Sequence, residues 1–291
     1  MKLVRFGPPG KEKPGIWISD AFPGMPGILD VRAMAFDIAD YDAHFFTHSG
    51  IDRLRNLLAE PKRTIMPGLG MRLGPPVAAP RQIICIGKNY AEHAKETGSA
   101  PPFAPVFFAK AVSSLSGSSD PIVLPRESVR VDAEAELGVV IGRHARRVSE
   151  TDALSFIAGY TIINDATDRD AQKENGQWFR GKSFDTFCPM GPWLVTPDEI
   201  SNPANLTVRQ RVSGEELQND NTSNMIFSIQ RLIADLTKNL TLEPGDVIAT
   251  GTPAGIGSAR NPPRLLRAGD VVEVEVTGLG LQRNPVIAEK V

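Results

Sequence analysis

From residue 82 onward the apolar residues come in short runs, each closed by Gly, Pro or Asp, and this pattern restricts the possible fold more than any other feature. The runs fall at 83–86, 106–108, 122–124, 137–141, 160–163, 193–195, 247–249 and 271–276. Runs of that length between turn-forming residues read as strands. The 26 glycines and 24 prolines among 291 residues exceed the roughly 12 % combined share of average usage, as a fold with many turns requires. A β-rich α+β fold is expected. Residues 206–217 alternate around Ser213-Gly214, a hairpin pattern, because Gly tolerates positive φ. One amphipathic helix is expected over 224–238, where Met225, Ile226, Ile229, Leu232, Ile233 and Leu236 recur at three- and four-residue steps.

The first part of the chain reads as a small separate α/β lobe. Short apolar pieces at 2–6 and 14–18 precede a helix expected around 40–58, with Ile51, Leu54, Leu57 and Leu58 on one face. A Pro/Gly-rich passage at 67–80 has no apolar periodicity and marks a linker. The expected division is therefore a small N-terminal domain at 1–76 and a larger catalytic domain at 77–291.

Composition excludes several classes. Lys plus Arg number 32 against 34 Asp plus Glu, a net charge of -2, and no basic run could neutralise a phosphate backbone, so no nucleic-acid partner is expected. No stretch of eighteen apolar residues occurs and the N-terminus has no apolar signal segment, so neither a membrane span nor secretion is expected. Cys85 and Cys188 share no metal or redox spacing and fit a reduced, cytoplasmic setting.

The chemistry concentrates in a few segments. In Asp132-Ala133-Glu134-Ala135-Glu136-Leu137 the two glutamates lie two apart, so on a strand they share one face. Like charges so placed repel unless a cation, a basic partner or solvent compensates them. A solvated edge strand and a cation site both answer to that spacing. Asp165 ends the next apolar strand, Gly159-Tyr160-Thr161-Ile162-Ile163-Asn164, and offers a third oxygen at a sheet rim. Three carboxylates from two strands suit Mg²⁺ or Mn²⁺, which keep waters for a substrate to displace.

Residues 165–172 read as a helix opening rich in acids, with Gly176 near its end and with Arg169 and Gln172 on one face, where they could reach a carboxylate or carbonyl. Gly87-Lys88-Asn89-Tyr90 reads as a strand end followed by an Asn cap and a short helix closed by Gly98. His93 and Glu96 on that helix are three apart, a spacing that lets the carboxylate orient the imidazole as a general base, although such pairs are more often surface contacts. The glycines of Thr250-Gly251-Thr252-Pro253-Ala254-Gly255-Ile256-Gly257 lack the Lys-Ser/Thr ending of a phosphate loop, so a nucleotide site is not expected.

In order along the chain, these segments resemble the fumarylacetoacetate hydrolase family. The match runs from Gly87-Lys88-Asn89-Tyr90 with His93 and Glu96, through Phe107-Phe108-Ala109-Lys110, Glu134-Ala135-Glu136, Asn164-Asp165 and Arg180-Gly181-Lys182-Ser183-Phe184-Asp185, to Thr250-Gly251-Thr252-Pro253. It covers residues 82 to the C-terminus, and the N-terminal lobe resembles that of longer bacterial members. The resemblance implies a mixed β-sandwich roll in the C-terminal domain, a homodimer, and Mg²⁺, Mn²⁺ or Ca²⁺ at Glu134, Glu136 and Asp165. It also implies a water-activating dyad of His93 and Glu96 with Lys182 as a third catalytic group, and substrate contacts from Arg169, Gln172, Thr252 and Lys110. Asp168 departs from the smaller residue usual before this Arg, which puts the fine shape of the pocket in question.

The implied activity is metal-dependent hydrolysis of a carbon–carbon bond in a 2,4-diketo acid, giving pyruvate and a carboxylic acid. The sugar-acid branch, with substrates such as 2,4-diketo-3-deoxy-L-rhamnonate, is one version. The same apparatus could serve an oxaloacetate-type decarboxylase or a 2-hydroxyhepta-2,4-diene-1,7-dioate-type isomerase. A catalytically silent metal-binding scaffold is the non-enzymatic alternative, but none of the matched positions is lost.

Overall fold

A computed structural model describes residues 1–174 and 176–290. All eight apolar runs coincide with strands, with Trp193 alone just outside one. Two sheets carry the fold. The larger contains, from one edge, Ile65–Pro67, Met25–Asp30, Lys13–Phe22, Lys2–Phe6, Leu194–Val195, Ile157–Asn164, Ala135–Ile141, Val247–Ala249, Ile83–Gly87 and Val106–Lys110. The smaller is ordered Glu215–Asn221, Thr207–Val212, Val271–Val276, Gly280–Ala288 and Ile122–Leu124.

The two sheets pack as a sandwich, and strand periodicity shows how. Leu137, Val139 and Ile141 join Ile162, Val208, Val272 and Val274 in one core, whereas Val140 and Ile163 point the other way, into a core shared with the N-terminal lobe. Ala135–Ile141 and Ile157–Asn164 are buried on both faces at every position, so they read as continuous rather than alternating apolar sequence. The helix Ile229–Thr237 lays Ile229, Leu232, Ile233 and Leu236 against the first core. It begins later than its periodicity predicts, because Ser228 caps it by accepting from Arg231 N, and residues 222–224 form a separate 3₁₀ turn. Ser213 (φ 51°) and Gly214 (φ 87°) make the expected hairpin turn.

The N-terminal lobe is a small antiparallel sheet with three short helices. The single helix expected around 40–58 is broken into Ala43–Thr47 and Gly50–Ala59, with Ser49 left-handed between them (φ 54°). A side chain at Gly50 would strike the Phe45 ring at 2.2 Å, so glycine there lets the second helix close on the first. The lobe's sheet is continuous with the larger sheet, since Lys2 and Leu3 pair with Val195 and Leu194. Nor does the Pro/Gly-rich passage hang free. Leu73–Gly74 pairs with Arg5 and Phe6, and Arg72 grips Asp120 at 2.7 and 2.6 Å. Among the described residues no helix is long and apolar enough to cross a membrane.

Candidate metal centre and active site

The strands Ala135–Ile141 and Ile157–Asn164 pair along their length, and upstream Val131–Asp132 pairs with Thr167–Asp168. Between these two ladders the chains part at residues 133–134 and 165–166. Asp165 N still donates to Glu134 O (2.9 Å), and Glu134 N to the Asn164 side chain (3.1 Å). The gap turns Glu134, Glu136 and Asp165 toward one point, with one oxygen of each within 4.8 Å of the others. All three are buried. The solvated-edge explanation therefore fails.

Buried carboxylates need partners. Lys182 Nζ donates to Glu134 (2.7 Å) and Asp165 (2.6 Å), and Lys110 Nζ donates to Asp165 (2.6 Å), Ala166 O and Lys182 O. Arg169 reaches Glu134 (2.7 Å) and, through Nε and Nη2, Asp132. Burial raises Glu134, but Lys182, then Arg169 and His93, outweigh it and hold this carboxyl well below the usual range. Glu136 differs. Among the described residues no cation pairs with it, and its one partner is Gly251 N–H at 2.8 Å. Burial, then Asp165 and Glu134, push it well above the ordinary value. With all four acids ionised, Asp132, Glu134, Glu136 and Asp165 face three fixed cations (Lys110, Arg169, Lys182), a formal surplus of one negative charge that falls on Glu136. An oxygen-only set with a buried charge surplus fits a hard divalent cation.

Across the same cavity, of about 360 Å³, stands the dyad. His93 Nδ1 lies 2.8 Å from Glu96 Oε1, and Glu96 Oε2 accepts from Gly255 N (2.8 Å). A carboxylate only accepts, so Nδ1 carries the hydrogen and Nε2 is the basic nitrogen. The loop that presents Gly255 N needs its glycines. Gly251 (φ 100°) lies against Asn89, where a Cβ would sit 2.7 Å from Asn89 Cβ, and a Cβ at Gly255 (φ 105°) would fall 2.1 Å from Leu217 O. Gly251 and Gly255 serve this approach, whereas Gly257 packs against Arg264 O.

The sequence profile of the fumarylacetoacetate (FAA) hydrolase C-terminal family matches residues 82–287. The chain belongs to the fumarylacetoacetate hydrolase family. It is 42% identical over 292 residues to the 2,4-didehydro-3-deoxy-L-rhamnonate hydrolase of Sphingomonas sp. (strain SKA58), covering 98% of this chain and 96% of that relative. Its fold is similar to the crystal structure of maleylpyruvate hydrolase from Sphingobium sp. SYK-6 in complex with manganese(II) and pyruvate, at 30% identity, TM-score 0.81 and full coverage of both chains. It is likewise similar to 2-hydroxyhepta-2,4-diene-1,7-dioate isomerase from Mycobacterium marinum, at 34% identity and TM-score 0.78 over all of both chains. This family member is a hydrolase-type enzyme whose acidic cluster is built for metal-associated carbon–carbon bond chemistry on small oxo or diketo acids.

Of the residues singled out in the sequence, His93, Glu96, Glu134, Glu136, Asp165, Arg169, Gln172, Lys182 and Thr252 all line this one cavity. Lys110, expected to touch substrate, does not line the cavity. Its side chain is sealed behind Asp165, so it is a buried counter-ion. The Thr252 hydroxyl is committed as well. It donates to Ala135 O (3.0 Å) and accepts from Gln218 Nε2 (2.7 Å), so it has no hydrogen to offer a ligand. Asn89 is no helix cap. Its amide spans Thr250 O and Phe227 O, and its carbonyl accepts from Phe227 N, fastening the dyad's helix to the glycine loop. Asp168 points away from the pocket and caps Arg169–Lys173 by accepting from Asp170 N and Ala171 N. Sequence reading missed Asp132, a buried carboxylate taking five N–H bonds from Arg169, Ala133, Gly257 and Ser258. Its only signal was a third acid two residues before Glu134.

Proposed function

We propose that this enzyme hydrolyses the C3–C4 bond of a 2,4-diketo acid, releasing pyruvate and a carboxylic acid. The observation that carries the reading is the joint presence, in one cavity, of a buried acidic triad and an imidazole whose free nitrogen can take a proton from water. Glu134, Glu136 and Asp165 would hold Mg²⁺ or Mn²⁺, with Ca²⁺ a third option, and the ion would supply Lewis acidity to the 2-oxo acid end of the substrate.

The chain's own residues do the rest. His93 Nε2 removes a proton from water, which attacks the C4 carbonyl, while Glu96 fixes the ring and supports the imidazolium. The third N–H of Lys182 and the amide NH₂ of Gln172, whose Oε1 is taken by Arg169, stabilise the charge on the C4 oxygen. The C3–C4 bond then breaks with its electron pair passing to the 2-oxo end. The proton that His93 took from water is returned to C3, which completes pyruvate and restores the neutral imidazole.

The 42% identity to a rhamnonate-derivative hydrolase supports 2,4-diketo-3-deoxy sugar acids as the finer substrate class. Similarity to a dioate isomerase supports a second reading, in which the same head group is enolised and no bond is cleaved. Product analysis by NMR separates them. Equimolar pyruvate and acid are expected from hydrolysis. A product of unchanged mass would replace that reading with isomerisation, and carbon dioxide from oxaloacetate alone would replace it with decarboxylation.

A further inference from the structure

We propose that Lys88 and Ser99 read the substrate's tail, selecting diketo acids that carry an acceptor oxygen, hydroxyl or carboxylate, on the acyl side of the bond that is cleaved. This rests on the hydrolytic reading, which places the acyl carbon before His93. Five cations line the cavity: Lys88, Arg130, Arg169, Lys173 and Lys182. Arg169 and Lys182 are held by buried carboxylates, Arg130 leans on Asp170 at 3.3 Å, and Lys173 is exposed at the rim. Lys88 is half-buried, and its ammonium donates to Ser99 Oγ at 2.8 Å. Among the described residues no carboxylate lies within ion-pair distance of it.

An ammonium has three N–H bonds, so two remain, and Ser99, accepting from Lys88, keeps its own hydroxyl hydrogen. The pair thus presents three unspent donors and a positive charge. Of the other donors, the third N–H of Lys182 and the Gln172 amide are assigned above to the C4 oxygen. Thr252 has spent its hydrogen, and Arg169 has given Nε and Nη2 to Asp132 and Glu134 and one Nη1 hydrogen to Gln172.

Position is as telling as chemistry. Lys88 lies three residues before, and Ser99 three residues after, the helix Ala91–Glu96, and both line the cavity with His93 and Glu96, so the pair flanks the dyad that on the hydrolytic reading faces the acyl carbon. Lys88 is held in the left-handed region (φ 57°), a conformation costly for a residue with a side chain and one that collects at ligand sites. The buried Asn89 amide pins it there, and Ser99 N is fixed to Ala94 O at 2.8 Å. The nearby walls, Ile86, Phe108 and Trp178, are apolar. A plain alkyl tail would press hydrocarbon on an ammonium that has lost water and gained no acceptor, whereas an oxygen-bearing tail supplies one.

The test is pyruvate release by the Mn²⁺-loaded enzyme from three acids: 2,4-dioxopentanoate, a 5-hydroxy-2,4-dioxo acid and a 2,4-dioxo diacid. The wild type should favour one or both oxygenated tails. Lys88→Met should shrink that preference, as a ratio of kcat/KM values, by about tenfold or more and mainly through KM. Ser99→Ala should shrink it less, and Lys88→Arg should restore most of it. The acid that loses more identifies hydroxyl or carboxylate as the feature read. If Lys88→Met fails to fold, Ser99→Ala decides by the same ratio. An unchanged ratio in folded variants overturns the pair's role and leaves the hydrolytic reading standing. No pyruvate from any of the three acids overturns that reading and the proposal with it.

Discussion

The two sides of the cavity are built on different foundations. The acidic side stands on strand ends inside the largest sheet, where Glu134, Glu136 and Asp165 are 4%, 1% and 0% exposed and Lys110, Lys182 and Arg169 pair with Glu134 and Asp165. The proton-transfer side stands on Ala91–Glu96, six residues with no side-chain cap, held by Asn89 and by the Gly255 N–H on Glu96. The contrast separates what must be rigid from what must be supplied. A hard cation needs fixed oxygens, and that fixity comes from burial and fixed charge. The dyad needs only orientation, which two loop contacts provide.

Removing a part of the acidic side should therefore cost the fold as well as the site. Asp165→Ala strands Lys110 in the interior and leaves Lys182 with Glu134 alone, and we expect a loss of about 3–5 kcal/mol in denaturant titration together with loss of Mn²⁺ binding. Glu136→Gln is the informative contrast. It removes a metal ligand that has no cationic partner, so Mn²⁺ affinity should fall while the metal-free protein keeps its stability. Equal destabilisation by both changes would erase the distinction between Glu136 and its neighbours.

On the other side, His93→Ala should lower kcat by roughly 10²–10⁴-fold, with calorimetric Mn²⁺ affinity unchanged. A matching loss of metal would show that the two sides are not independent.

Smaller effects test the supports. Asp168→Ala removes the cap of Arg169–Lys173 and should cost about 1 kcal/mol, with KM affected more than Mn²⁺ affinity because Arg169 and Gln172 ride on that helix. Outside the cavity lining, Asp270 gives a baseline. The hydrogen bond from Arg264, aided by Ser213, brings it down to about 2 against burial. Because the folded value is depressed, its contribution is present above the unfolded value of about 3.9 and disappears as pH falls toward about 2. Asp270→Asn should flatten acid unfolding within that window and leave activity near neutrality alone.

The parts legible in the sequence are those encoded by spacing along one segment. Glu134 and Glu136 share a strand face, His93 and Glu96 share a helical turn, and the strands announce themselves as short apolar runs. What the sequence hid is long-range. Lys110 meets Asp165 across 55 residues and Glu96 meets Gly255 across 159, so neither partner could be read locally. Asn89 looked like a cap because Asn suits that place, yet tertiary contacts to Phe227 and Thr250 claimed its amide. The break at Ser49 was missed because the apolar face at 51–58 says nothing about where its helix begins, and the packing of Gly50 on Phe45 divides it from the helix before.

The central claim is that the acidic triad and the dyad act together on one diketo acid, and titrating chelator-stripped enzyme with Mn²⁺ while following pyruvate from a 2,4-diketo acid tests it most directly. Turnover should be absent without the ion, rise to saturation as Mn²⁺ is added, and yield one carboxylic acid per pyruvate. Full turnover in the stripped enzyme, or Mn²⁺-dependent consumption of substrate without pyruvate, would contradict it.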